Sequence, residues 1–220
     1  MERIICLCIG YVCGLLQTGY LVGKINHIDI RKEGSGNAGS TNAVRVMGWK
    51  AGLLTFAGDV VKCVAAIFIV RYIYRGSEYL PLLAMYAGLG ATLGHNFPFY
   101  LRFKGGKGIA VLAGLVVSTD PLLVPIPLAG FLIAAVFTRY VSLGSLLASS
   151  LFFLEILLFG HLGEFHMAAP YTYELYILVL LLTILAWYRH KANIGRLLSG
   201  TENRFGSGKK KEAKDRKSVV

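Results

Sequence analysis

The sequence Phe-Lys-Gly-Gly-Lys-Gly, at residues 103–108, lies between an apolar run at 80–97 and another that ends at residue 119. The apolar runs predict helices in a nonpolar environment, and the stretch between them predicts a loop at its edge. Glycine allows a tight turn that brings backbone N–H groups close to a ligand, and lysine supplies mobile positive charge. The pattern therefore predicts membrane helices with a phosphate-binding loop at the membrane surface.

The composition excludes a soluble domain. Of the 220 residues, 55% are hydrophobic and 16% are charged. Soluble domains carry about 25% charged residues, and a soluble helical core of this size would have to bury too many apolar side chains. The composition predicts an all-α integral membrane protein.

The apolar runs predict a seven-helix transmembrane bundle that forms a single domain over residues 1–206. A helix needs about 20 apolar residues to cross a bilayer. The fourth run is shorter, so it either crosses only part of the membrane or packs inside the bundle. The predicted spans are residues 3–22, 51–74, 80–97, 107–119, 121–138, 143–160 and 172–188.

Residues 207–220 are basic and lack apolar periodicity, which predicts a disordered cytoplasmic tail that touches anionic lipid. The formal net charge of the chain is +11, and nucleic acid is the other partner class that such a charge allows. Membrane lipid is the simpler partner for a basic tail behind a membrane domain, so no nucleic-acid partner is expected.

The basic residues also predict an orientation. Under the seven-span count, most Lys and Arg residues fall on one side of the membrane, whereas Arg3, Arg71 and Arg75 fall on the other. Short loops rich in Lys and Arg stay in the cytoplasm. The N-terminus is therefore predicted to lie outside and the C-terminus in the cytoplasm, with Arg71 and Arg75 weighing mildly against this.

The four cysteines, Cys6, Cys8, Cys13 and Cys63, lie inside apolar runs, and the sequence shows no CxxC pair and no Cys/His ligand spacing. Free thiols in a helical core are the simplest interpretation. No metal site and no cofactor are predicted.

The first of three polar blocks reads Gly-Ser-Gly-Asn-Ala-Gly-Ser-Thr-Asn at residues 34–42 and is followed by Arg45. Such a loop offers hydroxyl, amide and backbone donors at short range, and an arginine can hold an anion through two parallel hydrogen bonds. A flexible linker would not need Asn37, Asn42 and Arg45, so ligand binding is favoured.

The second block runs from Gly94 through Lys104 to Gly108. Its glycine turn resembles a Walker A loop only superficially, because that loop needs Ser or Thr after its lysine to hold magnesium. Here Gly108 follows Lys107. Phosphate binding without nucleotide hydrolysis is predicted.

The third block, residues 190–202, contains His190 and Asn193, which share a helix face because they are three residues apart. Both are candidate ligand contacts. Ser142, taken alone, is predicted to cap a helix. Asp59 and Lys62 are also three apart, inside the second span, and are predicted to form a structural ion pair.

The three blocks resemble the bacterial acyl-phosphate:glycerol-3-phosphate acyltransferase family, often called PlsY. The resemblance rests on residues 34–48, 94–110 and 190–202 and covers about residues 1–206, with Cys63 and Val111 departing from the usual glycine and threonine. It implies a seven-helix enzyme of the bacterial inner membrane with a cytoplasmic site. The implied reaction moves a fatty acyl group from acyl phosphate to the 1-hydroxyl of sn-glycerol 3-phosphate. It yields lysophosphatidic acid and inorganic phosphate, and is the first committed step of phospholipid biosynthesis.

The resemblance also implies the site residues. Catalytic roles would fall to Lys104, Ser142, His190 and Asn193. Glycerol 3-phosphate would contact Ser35, Arg45, Lys104, Ser142, His190 and Asn193. Acyl-phosphate oxygens would be held by Thr41, Asn42, Gly105, Gly106, Lys107 and Gly108.

The general base has two candidates, because the sequence shows no Ser-His-Asp triad and no His followed by Asp at the fifth position. Either a substrate phosphate oxygen accepts the hydroxyl proton while His190 orients the hydroxyl, or His190 is the base. A carrier for a phosphorylated metabolite and a lipid-binding scaffold are the alternatives to an enzyme. The clustering of polar residues at one face disfavours the carrier, and a scaffold would not need three donor-rich loops.

Overall fold

Ten α-helices form within residues 1–206, the part of the chain that this computed structural model describes. They are α1 (Glu2–Gly14), α2 (Thr18–Ile25), α3 (Ser40–Met47), α4 (Trp49–Ile73), α5 (Leu80–Asn96), α6 (Ile109–Thr119), α7 (Pro125–Thr138), α8 (Val141–His161), α9 (Ala169–Arg189) and α10 (Lys191–Leu198). This part of the chain is all-helical, as predicted. The predicted tail at 207–220 lies outside the described residues.

Five helical segments of residues 1–206 are long and apolar enough to cross a membrane, not the seven that were predicted. The two exceptions are α5 and α6, which have 17 and 11 residues. At a rise of about 1.5 Å per residue, both are shorter than the hydrocarbon core, which is about 30 Å thick. The predicted count was wrong because an apolar run does not fix where its helix begins and ends.

The first span is not one continuous helix, because the chain breaks between α1 and α2. Buried polar side chains hold this break. Lys62 Nζ of α4 donates to Leu16 O at 2.7 Å, and Gln17 Nε2 donates to Gly94 O at 3.3 Å and His95 O at 3.1 Å. The break is therefore tied to the C-terminal end of α5.

Helices α1 and α5 run parallel and touch through glycines. A Cβ atom at Gly10 or Gly14 would come within 2.0 or 2.3 Å of a carbonyl oxygen of α5. A Cβ at Gly90 or Gly94 would come within 2.2 Å of a carbonyl oxygen of α1. Two Gly-x-x-x-Gly pairs thus let the two backbones meet, which is how membrane helices commonly pack.

The starts of α1, α5 and α9 meet at one end of the bundle. Arg3 forms hydrogen bonds of 2.5 and 2.7 Å with the carboxylate of Glu174, and Tyr79 donates to Glu2. Because these three helices start together, their C-terminal ends also lie together. That second end carries the predicted site.

Candidate active site

A cavity opens at the end of the bundle where α5 and α9 end and α6 and α8 begin. Most of the predicted site residues line it, including members of all three polar blocks. They are Ser35, Thr41, Asn42, Arg45, Lys107, Gly108, Ser142, His190 and Asn193. The cavity thus joins residues from four separate parts of the chain.

Lys104 does not line the cavity, and neither do Gly105 and Gly106. Arg102 and Phe103 have positive φ angles of 56° and 59°, and Lys104 is exposed after this turn. Lys107 lies next to the cavity instead. The structure therefore does not bring the predicted catalytic residue Lys104 into the site.

Asn42 organises the first loop. Its Oδ1 accepts from the N–H of Ser35 at 2.9 Å, and its Nδ2 donates to Ile30 O at 3.1 Å and Glu33 O at 3.0 Å. Its polar atoms are already used within the loop, which favours a structural role over the predicted contact with acyl phosphate. Arg45 is exposed at the last turn of α3, and its one hydrogen bond within residues 1–206 is a long one of 3.4 Å to Asn42.

Arg189 fixes the glycine turn from outside. Its guanidinium donates to Gly105 O at 3.1 Å and to Gly106 O at 2.8 and 3.2 Å, and it stacks on Phe97 at 5.1 Å. In a trans peptide the C=O and the following N–H point in opposite directions. Because Gly106 O faces Arg189, the N–H of Lys107 faces away from Arg189.

The start of α6 has the geometry that could hold an anion. Gly108 precedes the helix with φ of 84°, a conformation that favours glycine. Among residues 1–206, the N–H groups of residues 107–110 have no hydrogen-bond partner, and all four residues line the cavity. Free N–H groups and the helix dipole together attract phosphate.

A hydrogen-bond network centred on Glu202 crosses the cavity. Lys107 Nζ donates to Asn193 Oδ1 at 2.5 Å, and Asn193 Nδ2 donates to Glu202 Oε1 at 2.7 Å. Ser142 Oγ reaches the same oxygen at 3.0 Å, and Arg196 Nε reaches the other at 2.7 Å. Ser142 was predicted to cap a helix, but it does not cap α8. Its hydroxyl instead donates to Glu202 in the cavity.

Glu202 and Arg189 are the main residues that sequence reasoning missed. Glu202 was part of the third block, but no role was assigned to it. The sequence feature that could have identified Glu202 is that it is an acidic residue in a strongly basic segment. Arg189 was only one of the many basic residues that predicted the orientation in the membrane.

Burial lowers the pKa of Lys107 to about 8; the charge of Glu202 opposes this shift, and the neighbouring arginines contribute to it. Lys107 is therefore still mostly protonated at neutral pH. Burial and the charge of Lys107 lower the pKa of His190 to about 4. His190 is neutral at pH 7, and its Nδ1 must carry the proton because it lies 2.8 Å from the carbonyl oxygen of Ala186. Its Nε2 is left as an acceptor.

One side of the cavity is apolar. Phe56 of α4 and Phe131 of α7 line it, and Phe56 is 43% exposed. Within residues 1–206, no group of three or more His, Cys, Asp or Glu side chains could hold a metal ion. The four cysteines are free, as predicted.

Comparison with known proteins places these features in a family. A protein-family model described as "Glycerol-3-phosphate acyltransferase" matches residues 4–200. The chain is 40% identical to a protein named glycerol-3-phosphate acyltransferase from Thermoanaerobacter pseudethanolicus, over 94% of this chain and 97% of the relative. It is 44% identical to the protein of that name from Shouchella clausii, over 90% of this chain and 93% of the relative.

Solved structures give the same result. The crystal structure of PlsY (YgiH), an integral membrane glycerol 3-phosphate acyltransferase in its glycerol 3-phosphate form, superposes with a TM-score of 0.80. The identity is 31%, and the match covers 94% of this chain and 97% of that one. The lysophosphatidic acid form of PlsY superposes with a TM-score of 0.78 at the same identity. One family is thus matched along nearly the whole chain in sequence and in three dimensions.

Proposed function

Because the chain belongs to the glycerol-3-phosphate acyltransferase family, we propose that it moves a fatty acyl group from acyl phosphate to the 1-hydroxyl of sn-glycerol 3-phosphate. The products are lysophosphatidic acid and inorganic phosphate. The observation that carries this proposal is that one cavity has two groups of anion donors and an apolar wall. The first group is Lys107 with the start of α6, and the second is Arg45 with Arg196.

The first group suits the phosphate of the acyl donor. The N–H groups of residues 107–110 and the ammonium of Lys107 can together hold a phosphate dianion. The acyl chain then lies along Phe56 and Phe131 and reaches lipid between α4 and α7. Cations that hold the phosphate make it a better leaving group, so the same contacts bind and activate the donor.

The second group suits glycerol 3-phosphate. Ser35 and Arg45 come from the first loop, and Ser142, His190 and Asn193 face them across the cavity. Arg45 is exposed and its bond to Asn42 is long, so it can turn toward an incoming phosphate. In this assignment Lys107 takes the catalytic role that the family resemblance had implied for Lys104.

The reaction needs alignment more than activation, because acyl phosphate is a mixed anhydride. The 1-hydroxyl oxygen attacks the carbonyl carbon, the bond from that carbon to the phosphate oxygen breaks, and the hydroxyl proton passes to a phosphate oxygen. His190 Nε2 accepts a hydrogen bond from the hydroxyl and orients it. Since the pKa of His190 is about 4, His190 is a weak base at neutral pH. This pKa favours the phosphate oxygen as the proton acceptor.

We place the site on the cytoplasmic face of a bacterial inner membrane, with the N-terminus outside. The positive-inside rule supports this orientation, since Arg45, Lys107, Arg189 and Arg196 all lie at the cavity end. A cysteine placed at exposed Ser199 should resist a membrane-impermeant maleimide in intact cells, whereas one at Glu164 should react; the reverse labelling would refute the orientation.

Phosphate release tests the reaction directly. The purified protein in detergent, given palmitoyl phosphate and glycerol 3-phosphate, should release inorganic phosphate and form lysophosphatidic acid. Lys107→Met should abolish release, and Lys104→Met should leave it nearly unchanged. Turnover with acyl-CoA but not with acyl phosphate would refute the donor assignment. Equal losses in the two lysine variants would refute the assignment of the donor phosphate to Lys107.

A further inference from the structure

Three titratable side chains lie buried behind the glycine turn, and the chemistry above does not use them. Asp59 and Lys62 come from α4 and His95 comes from α5, with 1%, 4% and 3% of their surfaces exposed. Charged groups inside a membrane are unfavourable unless they are paired, and they commonly mark function. The predicted ion pair is confirmed, because Lys62 Nζ lies 2.7 Å from Asp59 Oδ1.

The contacts of Lys62 settle which nitrogen of His95 carries the proton. The ammonium group has three N–H donors. It has three acceptors in reach: Leu16 O at 2.7 Å, Asp59 Oδ1 at 2.7 Å and His95 Nδ1 at 2.8 Å. His95 Nδ1 must therefore accept, and in a neutral imidazole the proton then sits on Nε2.

The protonated nitrogen of His95 faces the phosphate-binding turn. A Cβ atom built on Gly106 would lie 2.1 Å from His95 Nε2, and the Gly106 N–H donates to His95 O at 3.1 Å. His95 and Asp59 both line the cavity together with Lys107 and Gly108. Within residues 1–206, the hydrogen bond of the His95 ring is made by Nδ1, and Nε2 makes none.

We propose that His95 is a further ligand-contacting residue, whose Nε2–H donates to a phosphate oxygen held at the start of α6. Lys62 and Asp59 are positioning residues: Asp59 holds the ammonium of Lys62, and Lys62 fixes the tautomer and the ring orientation of His95. A donor fixed in this way needs no reorganisation when charge develops on the leaving phosphate. The inference rests on the proposed function only for the identity of the phosphate ligand.

Nitrogen-15 NMR of the histidine side chains in the full chain tests the tautomer without any acyl donor. The His95 resonances, identified by their loss in His95→Gln, should show a protonated Nε2 and an unprotonated Nδ1. Titration with inorganic phosphate should shift the Nε2–H resonance. A protonated Nδ1, or no shift at saturating phosphate, would overturn the proposal.

Steady-state kinetics separate ligand contact from packing. His95→Leu removes the donor, and it should lower kcat/KM by about 100-fold, the usual loss for one such donor. His95→Gln keeps an N–H near the same place and should lose less. His161→Leu, at the other end of α8, is the matched control and should have no effect. Equal losses in His95→Leu and His95→Gln would overturn the donor role.

The positioning residues are tested by removing both charges together, so that neither is left buried alone. The double variant Asp59→Leu, Lys62→Met should fold, should lose the single-tautomer NMR signature of His95, and should have a lower kcat/KM. A double variant with an unchanged tautomer and full activity would refute the positioning role. A phosphate-induced shift at His95 in a wild-type protein that fails to use acyl phosphate would refute the proposed function but support this inference.

Discussion

The two ends of the bundle carry similar polar side chains but pair them differently. At the end where α1, α5 and α9 begin, the carboxylate of Glu174 accepts two bonds from Arg3 and one from Tyr86, so the charges neutralise one another. At the cavity end, Glu202 accepts from Ser142, Asn193 and Arg196. Within residues 1–206, however, the N–H groups at the start of α6 have no partner, and Arg45 makes only its long bond to Asn42. Donors exceed acceptors there.

The balance of donors and acceptors distinguishes a polar cluster that stabilises the fold from one that can bind a ligand. Buried polar groups are normally paired within the protein, so an excess of donors around a cavity indicates that an anion supplies the missing acceptors. The same difference predicts how the two ends respond to substitution. Changes at the cavity end should mainly affect turnover, and changes at the opposite end should mainly affect stability.

The largest effect is expected for Gly105→Ala. A Cβ there would lie 1.9 Å from the carbonyl oxygen of His95, so the glycine turn would have to move. A misplacement of this kind can lower activity by about 100-fold. Measured as kcat/KM for acyl phosphate, Gly105→Ala should show this loss. Gly76→Ala, where nothing lies within 4 Å of the added Cβ, should be unchanged, and a fully active Gly105→Ala enzyme would contradict the role of the turn.

The next largest effect is expected in the pH dependence of kcat/KM. Only protonated Lys107 attracts phosphate, and its pKa is about 8. The kcat/KM should therefore be level below pH 8 and fall about tenfold per pH unit above it. Arginine stays protonated throughout this range, so whatever activity Lys107→Arg retains should show no fall between pH 8 and 10. An unchanged alkaline fall in Lys107→Arg would assign the titration to another group.

Glu202→Gln should have a smaller effect. The amide of glutamine keeps one acceptor oxygen but replaces the other with an NH2 group, which is a donor. This NH2 group would face side chains that already donate to the position, namely Ser142, Asn193 and Arg196. Loss of a hydrogen bond to a charged group costs about 1.5 kcal/mol, which is about tenfold in rate. The kcat/KM should fall by that amount, while Glu164→Gln at the opposite end should leave it unchanged. A loss of stability with full activity would make Glu202 a structural residue.

The polar loops and their meeting at one end could be predicted from the sequence, because each motif is continuous and helices alternate in direction. Which of Lys104 and Lys107 lines the cavity could not be predicted. Both belong to the same turn. The outward position of Lys104 follows from the positive φ angles of Arg102 and Phe103, and a positive φ angle is not predicted for either residue type.

Contacts between distant parts of the chain were also beyond sequence reasoning. Glu202 meets Ser142 across 60 residues. The break between α1 and α2 at Leu16 gives no clear hydropathy signal. The carbonyl oxygen of Leu16 accepts its hydrogen bond from Lys62, which belongs to another helix. The span count failed for a related reason. Hydropathy marks which residues are apolar, whereas the ends of α5 and α6 are set by the turns that build the site.

The smallest effect on activity is expected at the opposite end, and it tests whether the two ends are independent. Arg3→Met removes two hydrogen bonds from Glu174, but Arg3 and Glu174 are about one third exposed, at 35% and 27%. A partly exposed pair contributes about 1 kcal/mol at most. That corresponds to a fall in Tm of about 2–4 °C for a chain of this size. Thermal unfolding in detergent should show this shift, with no change in kcat/KM, and Arg75→Met should change neither. The glycine contacts between α1 and α5 make this a demanding test, because they pack the helix that carries Arg3 directly against the helix that carries His95. A fall in kcat/KM as large as that of Glu202→Gln would show that the two ends act as one unit.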